Sequence, residues 1–202
     1  MFPELARDDV FRLETRRMWL RWLRGTDAPA LAALAGDWDV ARMTALIPHP
    51  YELEDAERYI LAARAGNASG SALRMALTLK TFPRKFVGVV AIEPGDFGPT
   101  LGFWIGKPYW GAGLMSEAIE ALTDAFFRVT AHDELTALLL PENEASRGVV
   151  EKVGFREAGR LDAGLGRHAD GPVSRFVLRR PAWQAFAGPG LRHGLASGTA
   201  LS

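Results

Sequence analysis

Leu114, Met115, Ala118, Ile119, Leu122, Ala125, Phe126 and Val129 recur three and four residues apart, while Ser116, Glu117, Glu120 and Asp124 fill positions between them. At 3.6 residues per turn the apolar positions form one stripe, so the spacing predicts an amphipathic helix over 114–129. Leu53, Ala56, Ile60 and Ala63 share one face of a second helix, 52–64, which Gly66-Asn67 should stop. In the middle of the chain the apolar residues instead gather into short runs, 73–79, 86–92 and 101–105, and these predict strands. They are joined by Thr81-Phe82-Pro83-Arg84 and by the turn Glu93-Pro94-Gly95-Asp96. Connections that short predict an antiparallel meander. Before it, 16–24 is rich in β-formers and reads as a first strand. Thr26 or Asp27 then offers a helix cap, with Pro29 in the first turn of a helix ending at Ala35. A short helix over 40–45 should end before Pro48 and Pro50. A strand at 135–140, a helix at 146–153 and strands near 155–162 and 172–179 complete the pattern.

This pattern predicts a lead-in over 1–14, one domain over 15–183 and a disordered tail over 184–202. From Gly188 onward the tail holds four Gly, one Pro and almost no large apolar residue. With 202 residues, 48% hydrophobic content and six Trp, the chain can bury one substantial core. Lys and Arg number 24, as do Asp and Glu, so the net charge is zero and no basic excess points to nucleic acid. The chain has no cysteine, which excludes a disulfide framework, a Cys-type zinc site and a thiol nucleophile. Met1 to Asp9 carries four charges and no apolar core, unlike a signal peptide. Apolar runs such as 87–92 are too short to span a bilayer. The expectation is a soluble cytoplasmic protein, with no membrane partner.

The chemistry gathers where the strand 101–105 meets the helix 114–129. A Gly-containing turn opens directly into that helix, whose first N–H groups and dipole favour an anion. Gly111 and Gly113 present no side chain between a pyrophosphate and the backbone. Taken alone, two such glycines also fit an ordinary turn. A dinucleotide fingerprint would need Gly or Ala where Ser116 stands and an acidic residue near the end of the next strand, and a P-loop would need Gly-Lys-Ser/Thr. Neither pattern is present.

The run Phe103-Trp104-Ile105-Gly106, then Tyr109-Trp110-Gly111-Ala112-Gly113, then Glu117-Ala118 closely resembles the acetyl-CoA-binding segment of GNAT acetyltransferases. Within that superfamily it resembles the ribosomal-protein alanine N-acetyltransferase (Rim-like) branch. The resemblance continues at Asn143-Glu144-Ala145-Ser146 and Glu151-Lys152-Val153-Gly154-Phe155. It reaches back to Thr15-Arg16, Asp27-Ala28 and Pro50-Tyr51-x-x-Glu54-Asp55-Ala56, and forward to Arg180-Pro181-Ala182-Trp183, roughly 15–183 in all. It implies a mixed α/β (α+β) fold. The central sheet would have six or seven strands, antiparallel in its first half, flanked by about four helices and splayed between 101–106 and 135–140 to admit CoA. It further implies an acetyl-CoA-dependent N-acetyltransferase in which a primary amine, a protein N-terminal α-amine or a small-molecule amine, attacks the thioester directly in a ternary complex. The alternative is a non-catalytic acyl-CoA-binding or regulatory protein on the same scaffold. A ligand-free interaction domain would require the whole motif set to be coincidence.

By the same resemblance, the amides of Gly111, Ala112, Gly113 and Leu114 would hold the CoA pyrophosphate. The backbone of Phe103, Trp104 and Ile105 would pair with the pantetheine arm, one N–H polarising the thioester carbonyl. Pro108 stands where the family usually has Gln or Arg, which removes one side-chain contact to phosphate. Asn143 fits a helix cap and also matches a pantetheine contact. Ser146 is the candidate general acid for the leaving thiolate, because Val150 occupies the position of the Tyr that many relatives use. Thr100 stands where a family Glu often serves as base, so Glu93 is the nearest carboxylate candidate, followed by Asp96 and Glu142. His49, His168 and Asp170 lie in loops expected to border the acceptor. Water could also take the amine proton. Glu117, Tyr109 and Trp110 read as structural. The scattered acids and four His show no metal-ligand spacing, so no metal is expected. A homodimer is left open.

Overall fold

The computed structural model describes residues 1–81, 84–162, 166, 168 and 171–186. Among them are eight strands: β1 Arg12–Glu14, β2 Met18–Trp22, β3 Leu73–Leu79, β4 Phe86–Gly95, β5 Gly98–Ile105, β6 Glu134–Leu139, β7 Arg156–Leu161 and β8 Val173–Arg179. Six helices accompany them: α1 Ala28–Ala35, α2 Trp38–Ala41, α3 Leu53–Ser69, α4 Leu114–Val129, α5 Glu144–Val153 and α6 Arg180–Phe186. The single sheet runs β1-β2-β3-β4-β5-β6-β8-β7. Every pairing is antiparallel except β5 with β6, which is parallel and holds register only at Thr100↔Thr136 and Leu101↔Ala137. Beyond Leu101 the two strands part, as the splay requires.

The extra strand beyond the expected six or seven is β1, a three-residue strand inside the expected lead-in, too short to show a period of its own. It exists because β2 offers an edge, in the register Arg12↔Arg21 to Glu14↔Trp19. Phe2 and Ala6 are also buried in the main core, with the Phe2 ring 6.1 Å from that of Phe126. Other boundaries moved for identifiable reasons. Asp37 caps α2 by accepting from the Asp39 N–H at 2.8 Å, so that helix precedes the expected 40–45. α3 runs past Gly66-Asn67 to a left-handed Gly70, because Asn67 exchanges two hydrogen bonds with the Arg74 backbone at 2.9 and 2.8 Å. The β4–β5 hairpin turns at Asp96-Phe97 rather than over 93–96, with Gly95 paired to Gly98. The expected tail, 184–202, overlaps the end of α6, and its residues 187–202 lie outside the described residues.

Two hydrophobic clusters sandwich the sheet, the arrangement that lets each helix bury one stripe. The larger packs α4 and α5 against one face, with Phe126, Phe127, Phe155 and Phe176 fully enclosed. The smaller packs α1 and α3 against the other face of β3 and β4. β5 serves both. Leu101, Phe103 and Ile105 point to the α4 side, and Trp104 points to the α1 side with its ring 6.1 Å from Phe86.

Candidate active site

Strand alternation decides which backbone groups of β5 are free. The Gly106 N–H donates to the Val87 carbonyl at 2.9 Å, and Trp104 stands opposite Val89 in the same ladder. In an antiparallel pair, successive residues turn their polar groups to opposite sides. Gly102 and Trp104 therefore bond to β4, while Phe103 and Ile105 face the gap left by β6. The Ile105 carbonyl on that side accepts the Trp110 indole N–H at 2.7 Å. An open edge remains at both polar groups of Phe103 and at the Ile105 N–H, shaped to pair with one extended arm.

A 3₁₀ turn, Lys107–Tyr109, carries the chain from β5 to the glycine loop. Lys107 is held to Asp39 at 2.7 Å, an ion pair that raises the lysine pKa and lowers that of the aspartate. Gly111 and Gly113 both adopt left-handed backbone, φ +71° and +70°, which side chains rarely tolerate. A Cβ at Gly111 would meet no atom within 4 Å, so the loop presents its backbone to open space. Gly113 caps α4, whose first intrahelical bond runs from Glu117 N–H to the Gly113 carbonyl at 3.3 Å. The N–H groups of the preceding first-turn residues have no helical acceptor and carry the positive dipole end.

Arg17 bolts this loop to the sheet. Its Nε donates to Glu117 at 2.7 Å, its backbone N–H to the other Glu117 oxygen at 2.7 Å, and its Nη1 to the Ala112 carbonyl at 2.7 Å. Partial burial pushes the Glu117 carboxyl up, but hydrogen bonds from Thr15 and Arg17 and the Arg17 charge outweigh it, and the net shift is downward. A lone Arg beside a strand gives no sequence signal for this role; only the tertiary pairing does.

Asn143 caps α5, accepting the Ser146 N–H at 3.0 Å, while its amide nitrogen donates to the Met43 carbonyl at 3.3 Å. Ser146 is half-buried, and its hydroxyl has no hydrogen bond among the described residues. Val150, one turn on, is fully buried. Glu93 does not stand free: both its oxygens accept from Arg74, at 2.7 and 2.8 Å. Thr100 lies directly across the ladder from it, its hydroxyl donating to the Gly98 carbonyl at 3.1 Å. Asp96 and Glu142 are exposed.

Around the other mouth of the gap, the connection between α2 and α3 touches two separate elements. Met43 meets the α5 cap. Ala45 lies so close to Gly166 that a Cβ there would fall 2.3 Å from the Ala45 carbonyl oxygen. His49 packs its ring 5.0 Å from Trp38. His168 Nε2 is shielded and has no hydrogen-bond partner among the described residues. Asp170 lies outside the described residues. Among the described residues no group of three or more His, Asp or Glu is placed to hold a metal ion, and no helix is long and apolar enough to cross a membrane.

A family model for the acetyltransferase (GNAT) domain matches residues 17–156. The uncharacterized N-acetyltransferase p20 of Bacillus licheniformis is 25% identical over 151 residues, which are 74% of this chain and 84% of that protein. Among solved structures, Mycobacterium smegmatis RimJ in complex with CoA-disulfide superposes with a TM-score of 0.76 at 22% identity, covering 90% of this chain and 91% of RimJ. The ribosomal-protein-S5-alanine acetyltransferase of Vibrio fischeri gives a TM-score of 0.72 at 19% identity, covering 86% and 98% respectively.

Proposed function

Since the chain belongs to the GNAT acetyltransferase family, we propose that it uses acetyl-CoA and transfers the acetyl group to the α-amine of a protein N-terminus. The observation that carries this reading is the open Phe103–Ile105 edge running into two left-handed glycines at the start of α4. The name of the Vibrio fischeri neighbour, a ribosomal-protein-S5-alanine acetyltransferase, supports the choice of acceptor.

The amides of Gly111, Ala112, Gly113 and Leu114 hold the pyrophosphate, and the Phe103 and Ile105 edge aligns the pantetheine arm. A β5 N–H polarises the thioester carbonyl as negative charge grows on its oxygen. The neutral amine attacks the carbonyl carbon, the C–S bond breaks and the sulfur leaves as thiolate. The Ser146 hydroxyl, which has no hydrogen bond among the described residues, protonates that sulfur and regains its proton from solvent. The amine's proton passes to water. Glu93 is a poor acceptor because Arg74 engages both of its oxygens, and Thr100 carries no basic group. Asn143 sets the start of α5, and with it the place of Ser146.

The test is acetyl-CoA consumption across a panel of N-terminal peptides, free lysine and small amines. Peptides should turn over fastest. Faster turnover of a small amine defeats the acceptor assignment, and CoA-thioester binding without turnover of any amine supports the non-catalytic alternative.

A further inference from the structure

A cavity of about 580 Å³ lies between α1 and the ends of β3 and β4, bordered by Tyr109 of the turn before the glycine loop. Its lining combines apolar Ala30, Ala33, Leu34 and Phe86 with the cations Arg21, Arg24, Arg84 and Lys85. An adjoining cavity of about 460 Å³ shares Arg21, Arg24 and Arg84 and adds Arg12 and Arg64. Together the two are lined by six cations, Arg12, Arg21, Arg24, Arg64, Arg84 and Lys85, and two carboxylates, Asp9 and Asp27, an excess of four positive charges.

The carboxylates are already used. Asp27 is gripped by Arg21 at 2.7 and 2.8 Å, and Asp9 by Arg64 at 3.1 Å. Arg12, Arg24, Arg84 and Lys85 have no ion pair among the described residues, and Arg12 only stacks on Trp19 at 4.9 Å. The Trp22 indole N–H, in the wall of the second cavity, is buried without an acceptor among the described residues. In a chain of zero net charge, three unneutralised cations lining each of two adjoining cavities repel one another and draw in a multiply charged anion. Guanidinium groups suit phosphate oxygens in particular. The volume falls within the range of about 300–1,000 Å³ typical of small-ligand sites.

We propose that this groove, which the acetyl-transfer reading leaves unassigned, binds a nucleotide-sized polyphosphate, its ring against Ala30, Leu34 and Phe86 and its phosphates on Arg24, Arg84 and Lys85. One observation favours this over a nucleic-acid strand: the nearby Trp19 and Trp22 faces, on which bases would stack, are already covered by Arg12 and Arg64.

The test is calorimetric titration of ATP into the protein saturated with CoA, so that the glycine loop is occupied. A single ATP should bind per chain, more tightly than tripolyphosphate or adenosine. The triple variant Arg24→Glu, Arg84→Glu, Lys85→Glu alters three exposed side chains and should weaken ATP by at least about tenfold. Its affinity for CoA should be unchanged. Failure of ATP to bind alongside CoA, equal binding by the variant, a matching loss of CoA affinity, tripolyphosphate binding as tight as ATP, or a single-stranded oligonucleotide outcompeting ATP would each overturn the proposal.

Discussion

Along β5 and the loop into α4, the groups that would meet the co-substrate are backbone atoms, fixed by a ladder, two left-handed glycines and the Arg17–Glu117 bolt. Around 43–49 the groups that would meet the acceptor are side chains and loop carbonyls, held by single contacts such as the 3.3 Å bond from Asn143 to Met43. On the proposed reading the first half recognises what every acetyl-CoA shares, a pyrophosphate and an amide-bearing arm, and backbone suffices for that. The second must recognise one acceptor among many, and side chains on connections can change without disturbing the sheet. On this view the co-substrate half tolerates little substitution in its backbone, whereas the acceptor half should trade specificity for modest cost.

The largest effect that could break this contrast is at the glycines. Gly111→Val or Gly113→Val forces a β-branched residue into left-handed backbone, a strain of about 1–3 kcal/mol, and shields the amides that face phosphate. CoA binding by calorimetry should be abolished while the fold, read by circular dichroism, is retained. Binding at parental strength would show that the loop is not the phosphate site. Next is Ser146→Ala, expected to lower kcat by about 10²–10⁴-fold with little change in CoA affinity, as befits a proton donor and not a binding group. An unchanged kcat removes Ser146 from the mechanism.

Smaller effects sharpen the contrast. Glu117→Gln keeps the loop's shape but weakens the Arg17 bolt, so CoA affinity should fall by about tenfold, the loss of one charge-assisted hydrogen bond. Because the folded carboxyl titrates below its ordinary value, the stability it contributes is complete above about pH 4.3 and is lost as pH falls through the depressed value. Melting temperature followed against pH should therefore decline less steeply on the acid side in Glu117→Gln. An identical acid limb in both proteins would mean the bolt contributes nothing to folding.

The smallest effect concerns Glu93. If water takes the amine's proton, the kcat/KM profile rises with the acceptor's own pKa, near about 7.7–8.0 for an α-amine and about 10.4 for a lysine-type amine. Glu93→Gln should leave that limb in place and cost at most about 1 kcal/mol through the partly exposed Arg74 pair. A limb that stays fixed across acceptors and disappears in Glu93→Gln would make this carboxylate the base.

The same division explains what could be read from sequence. The α4 stripe from Leu114 to Val129 was legible to its end residues because a period of about 3.6 residues, sustained over sixteen residues, fixes one face. The Asn143 cap was legible because its acceptor and the N–H it serves are three residues apart. Glycines that precede a helix advertise a backbone site directly. Arg17 and Glu117 lie a hundred residues apart in the chain, and Arg74 and Glu93 nineteen, so neither pairing leaves a local trace. β1 escaped because three residues carry no period and its partner edge is a tertiary feature. α3 outran its glycine because Asn67 found bonds in β3 that outweighed its poor helix propensity.

The two-residue joint between β5 and β6 also bears on how the chain assembles. β3, β4 and β5 are joined in turn by short connections, and that meander can organise while the remainder is still leaving the ribosome. β6 has no such help: one of its sides meets β5 at only two residues, and the other waits for β8, which lies thirty-four or more residues further along. Until β8 arrives, β6 is an apolar strand with one side unpaired and the other held at only two residues, a form of chain prone to pair with a neighbouring copy. The opening proposed to admit a thioester thus also leaves the nascent strand exposed to aggregation, and docking of α4 and α5 over Leu135, Ala137 and Leu139 is what covers that strand's apolar face.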